Sequence, residues 1–364
     1  MTNKKSIKVG ITIGDINGIG PEITLKALRD QRILSSFTPI IYGSQKAINH
    51  YIKKLELEDL VVVSAQSHEK IKPHKINVID VLDEEVQVEE GKESRNAGKL
   101  AIASLEMAAN DISTGLIDVI VTAPISKSVC QKAGFNFPGH TEYFSSLSNG
   151  IEALMILCSS TMKIALVTTH ISLKEVPSSI TKEKIISKAK VFDQSLKKDF
   201  GLRKPKIAVL SLNPHSGEDG KMGNEEKEII IPAVNELREN GVLAFGPFPS
   251  DGFFGSKSKD IYDGVLSMYH DQGLTVFKAL SFDEGVNYSS GIPIVRTSPD
   301  HGTAYDIAGQ GTASETSMRN AIYMAVDIYT SRMTHKELKN NPIITKIEKE
   351  TYKEDRKNKG LKKN

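Results

Sequence analysis

The chain has 364 residues, of which 39% are hydrophobic and 25% charged, with a formal net charge of +2. That length exceeds one ordinary domain, and the composition is that of a folded globular protein with an ample core. The near-neutral balance argues against a dedicated nucleic-acid binder, and no run approaches the ~20 apolar residues of a membrane span.

Cys130 and Cys158 are the two cysteines, too few for a disulfide framework and not spaced as metal ligands. The first residues run into a strand without a signal-peptide apolar stretch, so a cytoplasmic, reducing home is expected. The charge is uneven. Residues 346–364 hold eight Lys or Arg against four Asp or Glu, a basic tail of +4 that leaves the remainder at −2. Such a tail reads as a solvated terminus rather than a nucleic-acid arm.

In chain order, Ile7–Ile13 is an apolar run expected to form a strand, and a helix opens at Pro21, where proline is favoured. Residues from Ser64 to Lys92 are charged and carry no interpretable motif, so they read as peripheral strands and loops. Arg95–Asp111 has helical periodicity and leads into a strand at Ile117–Thr122; Ser126–Ala133 and Thr141–Leu147 read as short helices. There follow a strand running to His170, a helix at Lys182–Lys198, a strand ending near Leu212 and a helix at Glu225–Glu239. A strand-like run at Val242–Phe245 empties into a loop, and the last long helix spans Ala313–Arg332. Alternating strands and helices argue an α/β fold with a largely parallel sheet. Motif density shifts near Pro138 and Pro299. The expected division is therefore residues 1–137 with 300–345 as one α/β domain and 138–299 as a second, separated by a cleft.

Three stretches place a histidine directly after a buried-strand signature: Lys163–His170, Lys206–His215 and Gly264–His270. Ligands of open α/β sheets gather beyond the carboxyl ends of the strands. His170, His215 and His270, with Glu218, Asp219 and Asp271 beside them, therefore suit a divalent metal that keeps a coordination position open for substrate.

Other motifs carry less specific signals. Gly14–Glu22 is glycine-rich but lacks the dinucleotide fingerprint, so it is either a tight strand–helix turn or a cofactor loop. In Thr122–Lys127, Ser126 can cap a helix and Lys127 can meet an anion. Gly139-His140-Thr141-Glu142 can form an anion- or hydroxyl-binding corner, unless Thr141 is a plain cap. Lys278 lies in an otherwise apolar stretch, and Asn287 and Arg296 flank a Gly/Pro-rich strand. Lys278, Asn287 and Arg296 together describe a pocket for a small, polar, anionic molecule, with Arg296 supplying a bidentate fork. His301 is either a further site residue or a turn residue.

These motifs, in order from about Gly10 to Met318, resemble the 4-hydroxythreonine-4-phosphate dehydrogenase family; LNPHSGEDGKMGNEE, MYHDQGLTVFKAL and GVNYSSGIPIVRTSPDHGTAYDIAG carry the strongest likeness. The resemblance implies the two-domain architecture of isocitrate and isopropylmalate dehydrogenases, with an interdomain cleft. It also implies an NAD-dependent, cytoplasmic homodimer whose active site lies at the subunit interface. The metal ligands it implies are His170, His215 and His270, holding Zn, Mg or Co, with zinc the first choice. Substrate contacts fall on His140, Thr141, Lys278, Asn287 and Arg296.

The implied reaction is oxidation and decarboxylation of 4-phosphooxy-L-threonine to 3-amino-2-oxopropyl phosphate in vitamin B6 biosynthesis. Asp251 or Asp271 is the expected proton acceptor, and Lys278 a catalytic cation. The alternatives are a sister dehydrogenase acting on phospho-threonate or phospho-erythronate, a metal-dependent hydrolase, and a non-catalytic protein with a structural zinc. The last is disfavoured because neither cysteine lies near the histidines.

Overall fold

A computed structural model describes residues 6–84 and 87–341 of the chain. Twelve strands form one sheet: β1 (Ile7–Thr12), β2 (Phe37–Gly43), β3 (Val62–Ser64), β4 (Ile76–Asp80), β5 (Val119–Thr122), β6 (Leu154–Cys158), β7 (Lys163–Leu166), β8 (Lys206–Leu210), β9 (Leu243–Phe248), β10 (Gly264–Ser267), β11 (Val286–Ser290) and β12 (Arg296–Pro299). Their order across the sheet is β3-β4-β2-β1-β5-β12-β11-β6-β7-β10-β8-β9.

Both flanks of the sheet are parallel. Only the central pairs β12–β11, β11–β6 and β6–β7 run antiparallel. Central strands such as β2, β5 and β6 are buried along their whole length. Their continuous Val/Ile/Leu runs are what two covered faces demand.

Helices cover the sheet, among them Arg95–Ser113, Lys182–Lys198 and Thr316–Asn340. Their starts follow local chemistry. Ser44 accepts from the Ala47 N–H, Ser126 from Val129 and Thr181 from Lys184, each satisfying a first-turn donor with no helical partner.

Three differences from the sequence reading bear on the site. The strand expected to run to His170 is the antiparallel pair β6–β7, and β7 stops at Leu166. The Gly/Pro-rich strand around Asn287 and Arg296 is a hairpin, β11–β12. Phe37–Gly43 and the helix Gln45–Lys54, which escaped the sequence reading, fill out the first half of the sheet. The stretch 64–92 includes β4, next to the edge strand of the sheet, as the reading of peripheral strands and loops expects, and is tied to the core by His68, whose Nε2 lies 2.5 Å from Asp111. The basic tail lies outside the described residues.

Candidate active site

The three histidine-bearing runs end on neighbouring parallel strands: β10 pairs with β7 on one side and β8 on the other. His170, His270 and His215 therefore follow carboxyl ends along one edge of the sheet. The rings of His170 and His270 meet, with centroids 5.7 Å apart. They line a cavity of about 340 Å³, together with His140, Thr141, Lys278, Asn287 and Arg296.

His215 does not line this cavity. It sits exposed in the loop after β8. Asp271 is 81% exposed and borders an adjoining hollow that shares His170 and His270. Asp251 is exposed on the short helix Ser250–Gly255 and lines neither. Among the described residues, no three His, Cys, Asp or Glu side chains come together closely enough to hold a metal ion.

Strand periodicity explains the floor of the cavity. In the β11–β12 hairpin Asn287 faces Ser298 and Ser289 faces Arg296, so the four share one face of the sheet. Arg296 pairs with Ile120 of β5, which places Thr122, two residues on, beside its guanidinium.

Arg296 is 3% exposed. Its Nε and Nη2 donate to Thr122 Oγ1 at 3.1 and 2.6 Å, and Nη1 donates to Ser289 Oγ at 3.1 Å. No carboxylate among the described residues pairs with it. Burial brings its pKa down to about 10, with Glu142 opposing, so it is still a cation at neutral pH. Among the described residues, three of its five N–H groups are taken, which leaves one on Nη1 and one on Nη2 for a ligand.

A buried cation without an anion is costly unless a ligand completes it. Other polar atoms in the lining are incomplete too: His140 Nε2, Asn287 Oδ1 and His301 Nε2 are buried without a hydrogen-bond partner. Burial, then Arg296 and Lys127, hold His140 well below the usual imidazole range.

Lys278 is on the helix His270–Ser281, 42% exposed, with its Nζ 3.6 Å from Asp300 Oδ2. Burial raises the Asp300 pKa and the Lys278 ammonium opposes it. Thr141 is not a cap, because Gly139 is the N-cap residue and no side chain caps the helix His140–Leu147. Ser126 does cap, and the next residue, Lys127, lines the cavity. His301 lies in the lining rather than in a solvent-facing turn.

The imidazoles present suit a divalent cation. Burial and then the Lys127 ammonium hold His170 below its ordinary pKa, against Glu142, favouring the neutral ligating form. His270 Nδ1 hydrogen-bonds Asp271 at 2.7 Å, which leaves Nε2 for a ligand.

The Gly14–Glu22 turn, by contrast, is closed. Gly14 through Glu22 are buried, Ile19 N donates to Thr303 O, and a Cβ on Gly18 would lie 2.6 Å from that same oxygen. It is a tight packing turn. The residues missed from sequence are Thr122, Ser289 and Asp300. Thr122 lies 174 positions from the arginine it holds, a distance over which no motif extends.

Residues 35–325 match the family described as "Pyridoxal phosphate biosynthetic protein PdxA". A 4-hydroxythreonine-4-phosphate dehydrogenase of Bacteroides thetaiotaomicron is 49% identical over 342 residues, covering 93% of each chain. A Cutibacterium acnes relative named for D-threonate 4-phosphate dehydrogenase activity is 41% identical, covering 89% of this chain and 94% of its own. The crystal structure of 4-hydroxythreonine-4-phosphate dehydrogenase from Klebsiella pneumoniae superposes with a TM-score of 0.77 at 34% identity, covering 90% of this chain and 99% of that one. With its fold and four-fifths of its length in agreement, the chain belongs to the PdxA family of pyridoxal phosphate biosynthetic proteins.

Proposed function

We propose that the protein is a 4-hydroxythreonine-4-phosphate dehydrogenase that oxidises the secondary alcohol of 4-phosphooxy-L-threonine and releases carbon dioxide, giving 3-amino-2-oxopropyl phosphate. The observation that carries this reading is Arg296, a buried guanidinium with two N–H groups left for a ligand and no carboxylate partner among the described residues. A small phosphorylated acid supplies the missing anion.

Arg296 grips one anionic group, and Lys278, tethered by Asp300, meets the other. Asn287, His140 and Thr141 bind and orient the polar backbone of the substrate, which satisfies the two buried atoms Asn287 Oδ1 and His140 Nε2. Asp271, hydrogen-bonded to His270, accepts the hydroxyl proton, whereas Asp251 lines neither hollow of its own chain.

NAD, when bound, accepts the hydride; no residue is assigned to it, and the closed Gly14–Glu22 turn is not its cradle. His170, His270 and His215 would hold a divalent cation, which would supply Lewis-acid polarisation of a substrate oxygen. His215 lies away from the cavity of its own chain, so we assign it to the site of a partner subunit in a homodimer. Residues 1–137 with 300–345 and residues 138–299 form the two walls of the cleft in this reading.

The test is NADH formation from synthetic 4-phosphooxy-L-threonine. No NADH from it, with hydrolysis of the phosphate instead, would favour the hydrolase. A second reading, oxidation of a phospho-threonate, has the Cutibacterium acnes relative in its support. A higher kcat/KM on D-threonate 4-phosphate than on the amino acid would select it.

A further inference from the structure

The loop that carries His215 has a backbone conformation that L-residues avoid. His215, Ser216, Gly217, Glu218 and Asp219 have φ of 51°, 52°, 78°, 42° and 55°, a continuous left-handed turn. For its four non-glycine residues this is a sterically disfavoured conformation. Such a turn persists only where its surroundings over-determine it.

One buried side chain supplies the constraint. Glu226 is 2% exposed. Its Oε1 accepts from the Leu212 and Asn213 N–H groups at 2.8 and 2.7 Å, and its Oε2 accepts from Asn213 Nδ2 at 2.9 Å. The carboxylate thus grips both backbone donors at the point where β8 delivers the chain to the loop.

Glu226 opens a single π-helical turn, Glu226–Ile230, a distortion concentrated at functional sites. The loop closes over it. A Cβ on Gly217 would stand 2.7 Å from Glu226 Oε2, so this glycine lets the left-handed turn lie directly against the carboxylate. A second clamp joins the strand ends: Gln272 accepts from Met268 N at 2.7 Å and donates to Ser211 O at 2.6 Å, tying the start of the His270 helix to the root of the His215 loop.

We propose that Glu226 is a positioning residue that holds the left-handed His215–Asp219 turn so that His215 is presented for metal ligation. The proposal rests on the metal reading of His215 given above. Residues that orient a ligand from behind typically contribute 10–100-fold to metal affinity.

The test is titration of chelator-stripped protein with Co²⁺, followed by visible absorption of the imidazole-ligated ion, in wild type, His215→Ala, Glu226→Gln and Gly217→Ala. Glu226→Gln keeps the shape but presents a donor where Asn213 Nδ2 already donates. Gly217→Ala crowds the same contact from the loop side with the buried carboxylate intact, and serves should the first variant not fold. The expected result is near-complete loss of the Co²⁺ signal in His215→Ala and weakening on the order of 10–100-fold in both anchor variants. The folded protein should show kcat lowered more than KM.

Loss in His215→Ala with wild-type Co²⁺ affinity in both folded anchor variants would overturn the anchoring role alone. Lowered melting temperature with unchanged affinity would do the same, since that is the mark of a purely structural contact. Unchanged affinity in His215→Ala would overturn the metal reading itself, and this proposal with it.

Discussion

Arg296 is held in place by two hydroxyls, Thr122 and Ser289, so an incoming anion meets a guanidinium with no carboxylate paired to it among the described residues. Arg296→Lys keeps the charge and loses the fork, which should cost about 1.5–3 kcal/mol of substrate binding, expressed in KM rather than kcat. The same substitution should matter little for unphosphorylated 4-hydroxythreonine. Steady-state kinetics on the two compounds checks both points, and equal turnover of both by the wild type would remove phosphate from the mechanism. Thr122→Val should raise KM as well, because it strands two guanidinium donors at about 1–3 kcal/mol. The cysteines should be inert. Burial pushes the Cys130 thiol up to about 11 and the Cys158 thiol up to about 12, so neither forms thiolate at neutral pH. A chromogenic disulfide reagent is expected to titrate them only after denaturation, and rapid labelling of the native protein would contradict the burial.

Among the elements, turns differ sharply in what they tolerate. Gly14 has φ of 69° and an added Cβ would lie 2.4 Å from Pro124 O, so Gly14→Ala should destabilise by more than about 1 kcal/mol. Glu218→Gly should behave oppositely. Its φ of 42° already suits glycine, and its side chain is half exposed, so stability should hold or rise by up to about 1 kcal/mol. Thermal melts of the two variants decide. Elements whose periodicity comes from burial on the core were legible in sequence, as the helix Arg95–Ser113 and strand β5 illustrate. The β11–β12 hairpin was legible only as one Gly/Pro-rich strand, because the pairing that folds Val286–Ser290 back on Arg296–Pro299 is a tertiary fact.

At the scale of the molecule, the proposal that His215, which lies outside the cavity of its own chain, completes a partner's site makes assembly testable. Mixing His215→Ala with His270→Ala subunits after mild dissociation should restore about a quarter of wild-type activity, since each mixed dimer regains one intact site. No recovery on mixing would place the complete site within one chain. Sedimentation at assay concentration should show a dimer, and full activity in a demonstrated monomer would also refute the shared site.

The class of fold, the family and the identity of the cavity-lining residues His140, Thr141, His170, His270, Lys278, Asn287 and Arg296 were all present in the one-dimensional text. Strand signatures and short motifs are local, so the chain spells them out. What only the tertiary structure decided is who meets whom. It set Arg296 against Thr122 and Ser289, tethered Lys278 to Asp300, closed the glycine-rich turn against Thr303, and put His215 on an exposed left-handed loop pinned by Glu226. Those pairings follow from strand order and register across a twelve-stranded sheet, which no sequence window contains.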